Sequence, residues 1–253
     1  MELTNSIRKT VASLGNAKNR VQERCFIAEG TKCVMDTLPF FSCRYLFATA
    51  LWVEKYKNWL SNINVIVVKS SDIERMSQLT TPTQVLAVYE IPQYTFDEAK
   101  LSTNLVLALD RVQDPGNLGT IMRIADWFGI KDILCSSGTV DAYNPKVVQA
   151  TMGAISRVKV SQMDLVELIK RNTNVPVYGT FLDGQNIYET QLSATGIVIM
   201  GNEGQGISTE LSQLVNRRLY IPPYPQNEMT SESLNVGMAT AITISEFRRI
   251  ISK

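Results

Sequence analysis

Three segments of this chain set glycine, asparagine and charge directly behind an apolar run, and each could form a loop folded against a ligand. In residues 110–123 (DRVQDPGNLGTIMR), Gly116 and Gly119 permit a tight turn and close backbone approach. Asn117 is expected in that turn, and Arg123 on the first turns of the helix that follows. In residues 196–208 (GIVIMGNEGQGIS), Gly201, Gly204 and Gly206 surround the carboxylate of Glu203. This string is neither a dinucleotide-binding G-x-G-x-x-G nor a phosphate loop with its Lys-Ser/Thr. In residues 219–242, Pro222, Pro223 and Pro225 stiffen a loop. Ser231 is expected to cap the long helix behind it, whose start carries Ser233, Asn235 and Gly237. Taken singly, each segment also reads as an ordinary strand–turn–helix junction or a capped helix start.

The chain has no histidine. That removes Ser-His-Asp triads, Cys-His dyads, a histidine general base and every histidine-containing zinc site. Its four cysteines, Cys25, Cys33, Cys43 and Cys135, form no C-x-x-C pair. No zinc ribbon or thioredoxin-type motif is therefore present, no metal is expected, and the thiols read as reduced and mostly buried. Lys and Arg number 25 against 24 Asp and Glu, a net charge of +1. That balance excludes a polycation or an acidic tail protein but leaves room for a local basic patch. Arg8, Lys9, Lys18, Arg20, Arg24 and Lys32 supply one, as a solvated helix face or as phosphate contacts. No uncharged apolar run nears the roughly 20 residues of a membrane span. The opening MELTNSIRKT lacks the apolar centre of a signal peptide, so a cytoplasmic protein without a membrane partner is expected.

Two patterns must position these residues, and the polar stretch 91–104, with Pro92, separates them. Before it, short β-like runs at 25–30, 44–49, 64–69 and 84–90 alternate with helical patterns, which predicts a small α/β domain over 1–95. After it, NLVLALD (104–110) is the nearly all-apolar strand of a sheet covered on both faces. KDILCS, RVKVS, VPVYGTF, GIVIMG and RRLYIP follow as strands, with helical patterns between them and a long helix at the end. A parallel sheet with crossover helices over 96–253 fits this order. Ligands bind such sheets at the carboxyl ends of the strands, where the three segments lie.

Together the three segments resemble the SpoU (TrmH-like) family of RNA 2′-O-ribose methyltransferases, within the SPOUT superfamily. The residues that carry the resemblance are Asn117-Leu118-Gly119 with Arg123, then Gly201-Asn202-Glu203-Gly204, then Ile221-Pro222 and Ser233-Leu234-Asn235-Val236. Asn16-Ala17-Lys18 and 26–30 (FIAEG) look like that family's substrate-binding domain. Two departures stand out: a longer, proline-richer loop between Ile221 and Ser233, and Gly237 where the family often has serine.

The resemblance implies a C-terminal parallel-sheet SPOUT domain with a trefoil knot, homodimerisation through that domain, and S-adenosylmethionine as methyl donor. It implies a ribose 2′-hydroxyl of RNA as acceptor, ribosomal RNA before transfer RNA. Asn117, Arg123, Glu203, Ser233 and Asn235 are the implied catalytic residues. Thr180, Leu182, Gly201, Asn202, Gly204, Ile221 and Leu234 are the implied donor contacts, and Arg8, Lys18 and Arg20 the implied RNA contacts. Guanidinium groups hold their proton in proteins. Arg123 is therefore expected to grip a phosphate and stabilise developing alkoxide charge, with Glu203 orienting it. The alternative is a catalytically inactive RNA-binding protein on the same scaffold, which should have lost Arg123, Glu203 or Asn235; all three are present. A dinucleotide-dependent oxidoreductase lacks both its glycine fingerprint and its acidic ribose ligand.

Overall fold

The computed structural model describes residues 2–60, 63–225 and 231–251. In chain order its elements begin with α1 (Asn5–Ser13), α2 (Ala17–Glu23), β1 (Cys25–Glu29), α3 (Thr31–Thr37) and β2 (Cys43–Ala48). There follow α4 (Ala50–Tyr56), β3 (Ile66–Val67), α5 (Ser70–Met76) and β4 (Val85–Glu90). After a 3-10 turn at Glu98–Ser102 come β5 (Leu105–Leu109), α6 (Pro115–Trp127), β6 (Asp132–Cys135), α7 (Pro145–Ala150) and β7 (Lys159–Gln162). The chain then forms α8 (Leu165–Arg171), β8 (Val177–Asn186), β9 (Gly196–Met200), α9 (Thr209–Ser212), β10 (Arg217–Tyr220) and α10 (Val236–Ile251).

These elements form two compact units. The first is Met1–Gln93 joined by Asp141–Ser156; the second is Tyr94–Val140 with Arg157–Lys253. The first unit is built on a mixed sheet in the order β1-β4-β2-β3, with β4 antiparallel to β1 and β2, and β3 parallel to β2. Alternation along these strands buries Cys25, Ile27, Phe47, Leu86 and Val88 against Val11 and Leu14 of the first helix and its cap. The segment 141–156 leaves the second unit between β6 and β7 and packs α7 against β1. It carries Asp141, the partner of Arg20: the guanidinium donates to Asp141 Oδ2 at 2.9 and 2.7 Å and to the carbonyls of Leu14 and Gly15 at 2.9 Å. Arg20 is 1% exposed.

The second unit is a six-stranded, all-parallel sheet in the order β10-β8-β9-β5-β6-β7. Every residue of β5 and of β9 is buried, as expected of central strands with helices on both faces. One face packs Leu165, Leu168 and Ile169 of α8 and Leu211 of α9. On the other, α10 crosses α6 and sets Phe247 edge-on to Tyr178 at 4.8 Å between centroids. Burying Ile244 and Phe247 stabilises by about 1.5–3 kcal/mol each.

Two helix starts differ from the sequence-based expectation. Asp114 caps α6 by accepting from Asn117 N at 2.8 Å, with Pro115 behind it, so Asn117 lies in the first helical turn and not in the preceding loop. Helix α10 begins at Val236, and its cap is Asn235, whose Oδ1 accepts from Gly237 N at 2.9 Å and Met238 N at 3.3 Å. Ser231 lies before that helix and is not its cap. Of the proline-rich loop, 226–230 fall outside the described residues.

Candidate active site

Because all strands of the second unit are parallel, their carboxyl ends share one edge of the sheet. Four adjacent strands, β10, β8, β9 and β5, deliver to that edge Ile221, Thr180, Gly201 and the Asp110–Asn117 region respectively. Every motif segment read from the sequence therefore converges there.

The loop after β9 is built by Asn202. Its backbone exchanges two hydrogen bonds of 2.9 Å with Gly206. Its Oδ1 accepts from Gly204 N (2.9 Å) and Gln205 N (3.0 Å), and its Nδ2 donates to the carbonyl of Arg111 at 2.8 Å. Gly206 holds φ +68, and a Cβ on Gly201 would lie 2.3 Å from the carbonyl carbon of Gly206, so both positions require glycine. The Asn202 side chain is thus spent on shaping the loop. The loop's tip carries Glu203 outward.

Glu203 Oε1 accepts from Asn117 Nδ2 at 2.8 Å, and Asn117 Oδ1 accepts from Asn235 Nδ2 at 2.9 Å. Asn235 Oδ1 is already held by the first amides of α10. A single hydrogen-bonded chain therefore joins one residue from each of the three motif segments, and each amide's orientation is set by its neighbours. Arg123 and Ser233 stand outside it. Both are exposed and, among the described residues, neither has a hydrogen bond or ion pair. Arg123 lies about 9 Å further along the α6 axis than Asn117.

Among the implied donor contacts, Gly201 is buried, Thr180 and Ile221 are partly buried, and Leu182 and Leu234 are exposed. Thr180 Oγ1 approaches Met200 Sδ at 4.0 Å, tying β8, one residue past its last pairing with β9, to the end of β9. Gly204 is exposed at the loop tip. Opposite these loops, buried Asp110 accepts from Ser208 N (2.7 Å) and Ser136 Oγ (3.0 Å) and pairs with Arg111 Nε at 3.5 Å. Arg111, at φ +56, donates onward to Gln205 at 3.1 Å. Sequence reasoning assigned no role to Asp110 or Arg111. A carboxylate ending a wholly apolar strand was the signal for the first; the backbone twist of the second left none.

The expected RNA contacts separate. Lys18 is exposed on α2. Arg8 is partly buried and pairs with Asp72 at 3.0 Å. Arg20 needs correction: its buried guanidinium is consumed by Asp141 and two carbonyls, so it presents nothing to a phosphate. No cluster of His, Cys, Asp and Glu that could hold a metal occurs among the described residues, and no described helix is long and apolar enough to cross a membrane. Burial pushes the thiols of Cys33 and Cys135 up to about 12. It pushes Cys43, an exposed residue with a partly covered thiol, up to about 11.

Comparison with known proteins gives matches along nearly the whole chain. Residues 104–245 match the SpoU rRNA Methylase family, and residues 5–87 match the MRM3-like substrate binding domain. The 23S rRNA (guanosine(2553)-2′-O)-methyltransferase RlmP of Bacillus subtilis (strain 168) is 34% identical over 241 residues, covering 93% of each chain. A solved structure of a putative RNA methyltransferase of the TrmH family from Porphyromonas gingivalis superposes with a TM-score of 0.84 at 40% identity, over 98% of this chain and 99% of that one. An AdoMet-bound rRNA methyltransferase from Sinorhizobium meliloti superposes at 0.85 with 29% identity, over 99% and 98%.

Proposed function

The chain belongs to the SpoU rRNA Methylase family, and we propose that it methylates a ribose 2′-hydroxyl of RNA, ribosomal RNA before transfer RNA, with S-adenosylmethionine as donor. The observation that carries this reading is the chain Glu203–Asn117–Asn235, set on the same sheet edge as the glycine-lined loops.

The residues at that edge fit the donor. A Cβ on Gly201 would meet the Gly206 backbone, Gly206 has open space beside it, and Thr180, Leu182, Ile221 and Leu234 on the adjoining segments offer one hydroxyl and apolar surface. Those residues, with the backbone of Asn202 and Gly204, would hold the donor. When bound, S-adenosylmethionine supplies an electrophilic methyl carbon whose thioether leaving group needs no proton. The work left to this chain is alignment and charge stabilisation. Asn117 and Asn235, each locked by its neighbours, present fixed amides. Glu203 commits one oxygen to Asn117; the other oxygen can accept from the ribose hydroxyl or orient Arg123. Arg123, exposed and unpaired among the described residues, grips the target phosphate through its fork and stabilises the alkoxide as it forms.

The first unit carries RNA through Lys18 and its neighbours, in the cytoplasm. Trp127, Met238 and Leu234, exposed by 85, 59 and 50%, support a homodimer formed through α6 and the start of α10. A trefoil knot in the second unit is part of the same proposal.

The test is transfer of labelled methyl from S-adenosylmethionine to total RNA of a strain lacking this protein, followed by mapping of alkali-resistant linkages. One alkali-resistant ribosomal position restored by the wild-type protein supports the reading. Label on a base, or RNA binding with no transfer, overturns it.

A further inference from the structure

The pairing of β8 with β10 breaks at a single step. Arg218 is opposite Gly179, yet the next residue, Leu219, is opposite Gln185. Residues 180–184 are therefore extruded between two consecutive positions of β10. The extruded segment holds Thr180 and Leu182, two of the residues proposed above to hold the donor.

Arg218 stands at the break and grips the segment from several directions. Its guanidinium carbon lies 3.5 Å from the centroid of the Phe181 ring, a face-on cation–π stack. Its Nη2 donates to Asp183 Oδ1 at 2.6 Å, and its Nη1 donates to Ser212 Oγ at 3.1 Å, which anchors the group to α9. The hydrogen bond from Arg218, aided by its charge, holds the Asp183 carboxyl below its usual range. Gly184 closes the segment flat on β10: a Cβ there would lie 2.4 Å from the carbonyl carbon of Leu219. An exposed ion pair alone contributes little. Here one planar group makes the stack, the ion pair and the anchoring bond at once, which an ammonium cannot reproduce.

We infer that Arg218 is a positioning residue for the methyl-donor site, bracing the extruded segment 180–184 so that Thr180 and Leu182 stand as a preformed wall. This rests on the reading that the donor lies at this edge. Arg218 acts through its neighbours, so its loss should act on donor binding and leave the transfer step intact.

The experiment uses the full-length protein. Arg218→Ala should raise the KM for S-adenosylmethionine about tenfold and leave kcat within about twofold. Arg218→Lys, which keeps the charge but not the stack, should rescue little. Phe181→Tyr should bind S-adenosylhomocysteine as the wild type does, whereas Phe181→Leu should weaken it as Arg218→Ala does. Calorimetry on all variants, with melting curves to confirm folding, supplies the readout. A folded Arg218→Ala protein with wild-type KM and wild-type S-adenosylhomocysteine affinity overturns the inference, as does full rescue by lysine. A control separates this from the underlying reading: Leu182 is 72% exposed, so Leu182→Asp should fold and lose the donor. If wild type binds no S-adenosylhomocysteine, or Leu182→Asp binds it normally, the donor is not at this edge and the reading beneath the inference falls.

Discussion

Asn235 does two jobs with the two ends of one amide. Its oxygen caps α10, and its nitrogen holds Asn117. The two can be separated. Asn235→Asp keeps a capping oxygen but turns the donor toward Asn117 Oδ1 into an acceptor. It should melt close to the wild type and lose about 100-fold or more in kcat/KM, the scale of removing one preorganised donor. Asn235→Ala should lose activity to the same degree and also about 1 kcal/mol of stability, the worth of a cap. Methyl transfer beside urea titration distinguishes the two variants. Arg20 gives the opposite test. Arg20→Ala leaves Asp141 and two carbonyls without their donor, so it should cost about 3 kcal/mol of stability. Filter binding of RNA by the part that remains folded should be unchanged; a selective loss of RNA affinity would restore Arg20 to the RNA surface.

Among the elements, the loop after β9 carries the most constraint for its length. Gly201→Ala meets backbone, which no rotamer change can relieve, so donor affinity should fall below detection in calorimetry even where the protein still folds. Helix α3 and the strands β2 and β6 make a different prediction through their cysteines. A raised thiol pKa means the nucleophilic thiolate is scarce at ordinary pH. Cys33 and Cys135, up near about 12, and Cys43, up near about 11, should resist alkylation at pH 8. Reaction should rise with pH as the thiolate forms, Cys43 first, and all should label at once in denaturant. Rapid labelling of native Cys135 would show that β6 opens far more easily than its complete burial implies.

For the whole molecule, the segment 141–156 decides how cleanly the two units can be parted. It is strung between β6 and β7 of the second unit, yet Val147, Val148, Ala154 and Ile155 are buried in the first. A chain cut to begin at Tyr94 should still bind S-adenosylhomocysteine, because every donor contact proposed above lies beyond that point. It should also be nicked by protease within 141–156 much faster than the full chain, since those side chains have lost their cover. Such a chain should sediment as a dimer if α6 and α10 form the subunit contact, and should no longer methylate RNA. RNA affinity of the full chain should fall steeply with salt, because phosphate contacts release counterions. A truncated monomer that methylates its RNA efficiently would overturn this division of labour.

The periodicities alone located the strands of both sheets and placed three loops at strand ends, because burial on one face or both writes a short-range pattern into the chain. The absence of histidine was equally decisive: it excluded histidine triads and dyads, a histidine general base and histidine-containing zinc sites before any fold was known. Three motifs in order then named the family. What the sequence could not say was which side chains meet. Asn117 finds Glu203 across 86 residues and Asn235 across 118, and no local pattern encodes contacts at such separations. The same limit hid the burial of Arg20, whose partner Asp141 lies 121 residues away in a segment that had every local sign of belonging to the other sheet. It also hid Arg218, because a register break exists only between two strands, and a lone basic residue in β10 looks the same whether it meets solvent or braces a loop. Local pattern decides which elements form; the packing of distant segments decides which of their polar groups are satisfied within the fold and which remain for the substrate.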